Sequence, residues 1–95
     1  MEISVLSNVV TIKGNIKTVG DYQEIKKAVD AVVINNKNVV IKILDSISMT
    51  SSVIGYFNKL ILKDGIAISM VVADKQLIEL LDDLNLTKMF QVKKG

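Results

Sequence analysis

Apolar and polar positions alternate from the first residues of the chain. Residues 2–7 (EISVLS) and 9–14 (VVTIKG) are short β-branched runs with Ser7-Asn8 between them, which predicts an N-terminal hairpin of two strands. The period then changes. Gly20-Asp21 supplies a break and an N-cap, and Tyr22, Ile25, Ala28, Val29, Val32 and Val33 recur at helical spacing, so a first helix is expected over 21–34. Asn35-Asn36 stops it, and the apolar run NVVIKIL at 38–44 has the length of a buried central strand, interrupted by Lys42. A second helix is expected from 50 to 63, closed by Asp64-Gly65, and a second buried strand at 66–72 (IAISMVV). Asp74 caps a third helix with an inner stripe of Leu77, Leu80, Leu81 and Leu84. Asn85 occupies the left-handed C-terminal position, and MFQV at 89–92 is expected as a last short strand.

The element order is therefore ββαβαβαβ in one domain spanning 1–95. Helices of this length between strands imply right-handed crossovers and a largely parallel sheet with an antiparallel hairpin at its edge, a single open mixed sheet with helices packed on it. In such sheets sites lie beyond the C-terminal ends of the strands, where the N–H groups of the next helix point outward, and the loop at 45–52 is that place here.

Composition removes several chemistries. The chain has no Cys, no His and no Trp, and reading along it finds no Arg. Zinc sites of the usual kind, Cys–His or Ser–His–Asp nucleophiles and imidazole proton shuttles all fall away. The acidic residues are scattered, with only Asp82-Asp83 adjacent, so no cofactor or metal is expected. The net charge of +2 comes from twelve lysines dispersed among ten acids. With no basic stripe and four aromatics in all, nucleic acid is not an expected partner. No apolar stretch approaches the roughly 20 residues of a membrane span and no leader pattern opens the chain, so membrane insertion is not expected and the cytoplasm is the expected compartment.

Candidate chemistry concentrates at one helix start. Thr50-Ser51-Ser52 stands between a buried strand and an amphipathic helix, which sets hydroxyls among the free N–H groups of a first turn. Two readings stand side by side: a plain N-cap followed by first-turn serines, or a place where a phosphate is held. The helix that follows has an inner arc of Val53, Ile54, Tyr56, Phe57, Leu60 and Ile61. Opposite lie Ser51, Gly55, Asn58 and Leu62, small at one end and apolar at the other, with Lys59 and Lys63 only beside them. A stripe of that kind either admits the backbone of another protein, with Leu62 as an anchor, or is no more than a tolerated glycine and one stray exposed leucine. An enzyme using Ser51 as nucleophile, or Asp45 and Asp74 as acid and base, lacks both a base partner for the serine and a Gly-x-Ser-x-Gly elbow. The expectation is a protein that is not an enzyme.

These residues resemble the STAS domains of bacterial anti-sigma factor antagonists and of sulphate-transporter tails. The family's loop I-D-S-S-G-L-G corresponds to Met49-Thr50-Ser51-Ser52-Val53-Ile54-Gly55, and its later segment L-E-L-T-G-L-D-K-L-F looks like LDDLNLTKMF at 81–90, with Asn85 at the glycine. Thr50, Lys42 and Val53 stand where the family has the loop aspartate, a strand acid and the next glycine. The resemblance implies a STAS-like fold and a bacterial transcription regulator that is a phosphoprotein. Its partners would be an anti-sigma factor serine kinase, which phosphorylates Ser51 (alternatives Thr50 and Ser52), and a phosphatase that reverses the step. The implied contact surface is Asp45, Ser48, Thr50, Ser51, Ser52, Gly55, Asn58 and Leu62. A second implied reading is a small accessory subunit binding the ATPase of a lipid-transport ABC system, and a third is a piece of a stress-sensing scaffold.

Overall fold

A computed structural model describes residues 1–95. Its elements are β1 (Glu2–Leu6), β2 (Val9–Lys13), α1 (Val19–Val33), β3 (Asn38–Ile43), α2 (Ser51–Leu62), β4 (Ala67–Val72), α3 (Lys75–Asp83) and β5 (Val92–Lys94). The five strands form one sheet in the order β1-β2-β3-β4-β5, antiparallel at β1·β2 and parallel elsewhere. The fold is thus α/β with a single mixed sheet and an N-terminal hairpin, in the ββαβαβαβ order.

Because each parallel strand lies next to its predecessor, right-handed crossovers stack all three helices on one face. The register displays this directly. Val10, Ile41 and Met70 make one row across the sheet and Ile12, Ile43 and Val72 another, all buried in a single core with Ile25 and Val29 of α1, Val53, Phe57 and Leu60 of α2, and Leu77 and Leu81 of α3. On the reverse face, Thr11, Lys42 and Val71 share a row that remains half-buried or exposed. The run at 38–44 is therefore not a strand buried on both sides. Lys42, an interruption in an apolar run, is the residue whose side chain points away from the helices.

Three local expectations shift. α1 begins two residues earlier than Asp21, because Thr18 is the cap: its hydroxyl accepts from the Asp21 N–H while the Asp21 carboxylate accepts from Lys17 and Thr18. These backbone N–H groups hold the Asp21 carboxyl below its ordinary pKa. The last strand is Val92–Lys94 rather than 89–92, because Phe90 turns inward and meets Phe57 edge-on at 6.0 Å. The chain resumes its extended course only after Gln91, at φ +48°. Asp74 caps α3 through bonds to the Gln76 and Leu77 N–H groups, and Asn85 is left-handed at φ +58°, both as the sequence indicates. Gly65, at φ +68°, ends the turn after α2 where a side chain would be strained.

Candidate partner-binding surface

At the C-terminal ends of β2 and β3 the chain leaves the sheet twice, and each departing backbone needs hydrogen-bond partners. Side chains supply them across the gap. The Gly14 N–H donates to Asp45 Oδ1 at 2.6 Å, the Ile47 N–H to Asn15 Oδ1 at 3.1 Å, and the Ile16 N–H to Ser46 Oγ at 3.0 Å. Ser46 Oγ donates in turn to the Ser48 carbonyl at 2.7 Å, and Ser48 Oγ to the Ile16 carbonyl at 3.4 Å. Ser46 is the one polar residue buried in the protein. Two residues expected on the contact surface, Asp45 and Ser48, are thus occupied in stitching one loop to the other.

The chain then enters α2 through Thr50, whose hydroxyl accepts from the Val53 N–H at 3.3 Å. This is the N-cap role, and Thr50 as a residue is half-buried. Ser51 and Ser52 are both exposed, and neither hydroxyl bonds to any protein group. Their own N–H groups also lack intrahelical acceptors, as first-turn groups must. Beside them the N-termini of α1 and α2 converge on a cleft of about 90 Å³ lined by Lys17, Thr18, Val19, Tyr22, Thr50 and Ser52.

The outward side of α2 is bare at both ends. A Cβ on Gly55 would meet nothing within 4 Å, and Leu62 is 72% exposed. Asn58 departs from the expected stripe: it is half-buried, and its Oδ1 is enclosed without a hydrogen-bond partner. The inner arc is as the period requires, with Val53, Tyr56, Phe57 and Leu60 buried and Ile54 and Ile61 partly so.

The flank of α2 toward α1 is closed by a polar anchor. Tyr56 Oη donates to Asp30 Oδ1 at 2.5 Å, and Lys26 Nζ bonds Asp30 Oδ2 at 2.7 Å. Burial tends to raise the Asp30 pKa, but the bonds from Lys26 and Tyr56 outweigh it and hold the carboxyl below its ordinary value. Lys26 is raised by its bond to Asp30. The Tyr56 phenol is pushed far above its usual value, first by burial and then by the Asp30 bond. This triad fixes how α2 lies against α1, and so where Ser51 and Gly55 are presented.

Three exposed apolar residues near the loops were not among the residues expected to bind: Leu44 at 46%, Ile47 at 50% and Val19 at 70% exposure. Leu44 and Ile47 bracket Asp45-Ser46, and apolar side chains on either side of a polar loop pair are the signal by which sequence reading finds such a patch. No group of three Asp, Glu, His or Cys side chains is placed to hold a metal ion, and no helix is long and apolar enough to cross a membrane. Compared with known proteins, the chain matches no family model, no curated protein and no solved structure.

Proposed function

We propose that this chain is a protein-binding switch of the anti-sigma factor antagonist type, acting in the cytoplasm and controlled by phosphorylation of Ser51. The carrying observation is the first turn of α2, where two serine hydroxyls stand exposed and unbonded beside their own free N–H groups. Gly55 lies one turn further on with open space above it, and Leu62 stands exposed at the far end. The resemblance of residues 49–55 and 81–90 to STAS domains supplies the partner class.

In the unmodified state an anti-sigma factor kinase docks over α2, its backbone close to Gly55 and an apolar pocket around Leu62. Transfer of the γ-phosphoryl group of ATP to Ser51 Oγ releases ADP and leaves about two negative charges on the surface. The first-turn N–H groups and the helix dipole stabilise the phosphate on the free protein, so its new charge and bulk oppose docking without unfolding the domain. Hydrolysis by a phosphatase restores the serine and the contact. The chain itself performs no catalytic step in this scheme.

The test is capture of partners from the source cell, followed by mass spectrometry of residues 50–52 and binding measurements with the captured kinase. Phosphate on Ser51, together with loss of binding in Ser51→Asp, is the expected result. Phosphate on Thr50 or Ser52 moves the switch to that hydroxyl. Capture of a transporter ATPase with residues 50–52 unmodified overturns the reading in favour of an accessory subunit.

A further inference from the structure

The two edges of the sheet are finished differently. β5 is three residues long and carries Lys93 and Lys94, a short lysine-bearing edge of the kind that discourages addition of another strand. β1 is five residues long, with no proline, no lysine and an unbroken register against β2. Outside the sheet ladder no backbone hydrogen bond reaches Glu2–Leu6, so the outward N–H and C=O groups of β1 are unpaired.

Beside this edge the helical layer stops short. Ile3 and Val5 lie opposite Ile12 and Val10, on the side of the sheet that the helices cover, but α1 covers them only in part: Ile3 is half-buried against the core and Val5 remains exposed. An open groove of about 490 Å³ remains, with Met1, Ile3 and Val5 as its floor and Glu24, Lys27, Ala28 and Ala31 of α1 as its wall. Val5 is 49% exposed in it.

We propose that a second copy of this chain closes the groove, with β1 of each copy pairing antiparallel to β1 of the other about a two-fold axis at Ser4. Strand addition satisfies the outward backbone groups and joins the two sheets into one. The sequence of β1 suits this symmetry: about Ser4, Ile3 of each copy stands opposite Val5 of the other, so the two apolar floors become continuous. The charges suit it also. The two α1 helices run antiparallel along the joined groove, which brings Glu24 of each copy toward Lys27 of the other. A flank carrying one sign of charge would repel its symmetry mate, whereas opposite charges one turn apart pair twice in an isologous contact. The α2 surface takes no part, so the dimer presents that surface twice, and the inference stands independently of the switch.

Sedimentation equilibrium from micromolar to millimolar protein tests it. The expected result is a reversible species of twice the 10.4 kDa chain mass. Val5→Lys is expected to weaken association about tenfold or more, by placing an unpaired charge in the seam. Lys27→Glu is expected to weaken it as well, and the double exchange Glu24→Lys with Lys27→Glu to restore it, because the ion pairs reform with their signs reversed. Circular dichroism identifies any variant that fails to fold; Lys27 is exposed on α1, so the charge series carries the test if Val5→Lys is lost. A chain that stays at 10.4 kDa throughout overturns the proposal. So does a dimer that Lys27→Glu leaves unchanged.

Discussion

The loop at residues 45–50 and the outward side of α2 adjoin one another, and the sequence marks both as surface for a partner, yet the protein treats them in opposite ways. In the loop nearly every polar atom is committed: Asp45, Ser46 and Ser48 bond to the backbone of residues 14–16, and Thr50 caps its helix. On α2, Ser51 and Ser52 commit nothing, Gly55 leaves space and Leu62 projects into solvent. The difference teaches where to separate support from contact. A short polar side chain next to a departing strand is drawn into satisfying that backbone, while Ser51 and Ser52, in the first turn of a helix already capped by Thr50, have no departing strand beside them and bond to no protein group.

Substitutions that remove support should cost stability, and those on the bare face should not. The largest effect is expected at Ser46→Ala, which leaves the buried Ile16 N–H without its acceptor and should cost about 2 kcal/mol in denaturant unfolding. A change under about 0.5 kcal/mol there would erase the distinction between loop and helix.

Tyr56→Phe tests the anchor beneath the bare face and should cost about 1–2 kcal/mol at neutral pH, the hydroxyl being bonded to a charged acceptor. Its pH signature sharpens the test. A carboxyl whose folded pKa is lowered stabilises the protein above its unfolded value, and the benefit is lost as pH falls through the folded one, so Asp21 and Asp30 make stability decline below about pH 4. A phenol whose folded pKa is raised contributes fully below its unfolded value and loses that contribution as pH climbs above about 10. Tyr56→Phe should therefore flatten the alkaline decline, measured as unfolding free energy against pH, and shrink the share of the acid decline that belongs to Asp30.

Thr50→Ala removes the α2 cap and should cost about 1 kcal/mol in thermal or denaturant unfolding, with the sheet core unaffected. The smallest effect on the fold is expected at Leu62→Glu, within about 0.5 kcal/mol of the parent, since that side chain is 72% exposed. Its effect should instead fall on affinity for the partner, measured by titration calorimetry; destabilisation without loss of affinity would assign Leu62 to support.

How much of this was legible beforehand depended on the range of the forces involved. The element order, the Asp74 cap, the left-handed Asn85 and the buried arc of α2 follow from spacing within one or two turns, and the structure agrees with each. The misplacement of the last strand came from Phe90, whose apolar character suits a strand or a core contact equally and which packs against Phe57, far away in the chain. The site divides in the same way. Exposure of Ser51, Gly55 and Leu62 follows from helical period alone, whereas the role of Ser46 requires the loop thirty residues earlier to be in place.

Periodicity and capping chemistry thus determined the α/β character, the helix faces and the presence of hydroxyls at a helix start, because those depend on neighbours in the chain. Only the assembled sheet decided that all helices share one face, that Lys42 points away from them, that Asp45 and Ser48 bond to a neighbouring loop, and that the β1 edge stays open. Each of these depends on which strand lies beside which. That is settled by burying apolar rows and pairing backbone groups across the whole domain, and no local run of residues encodes it.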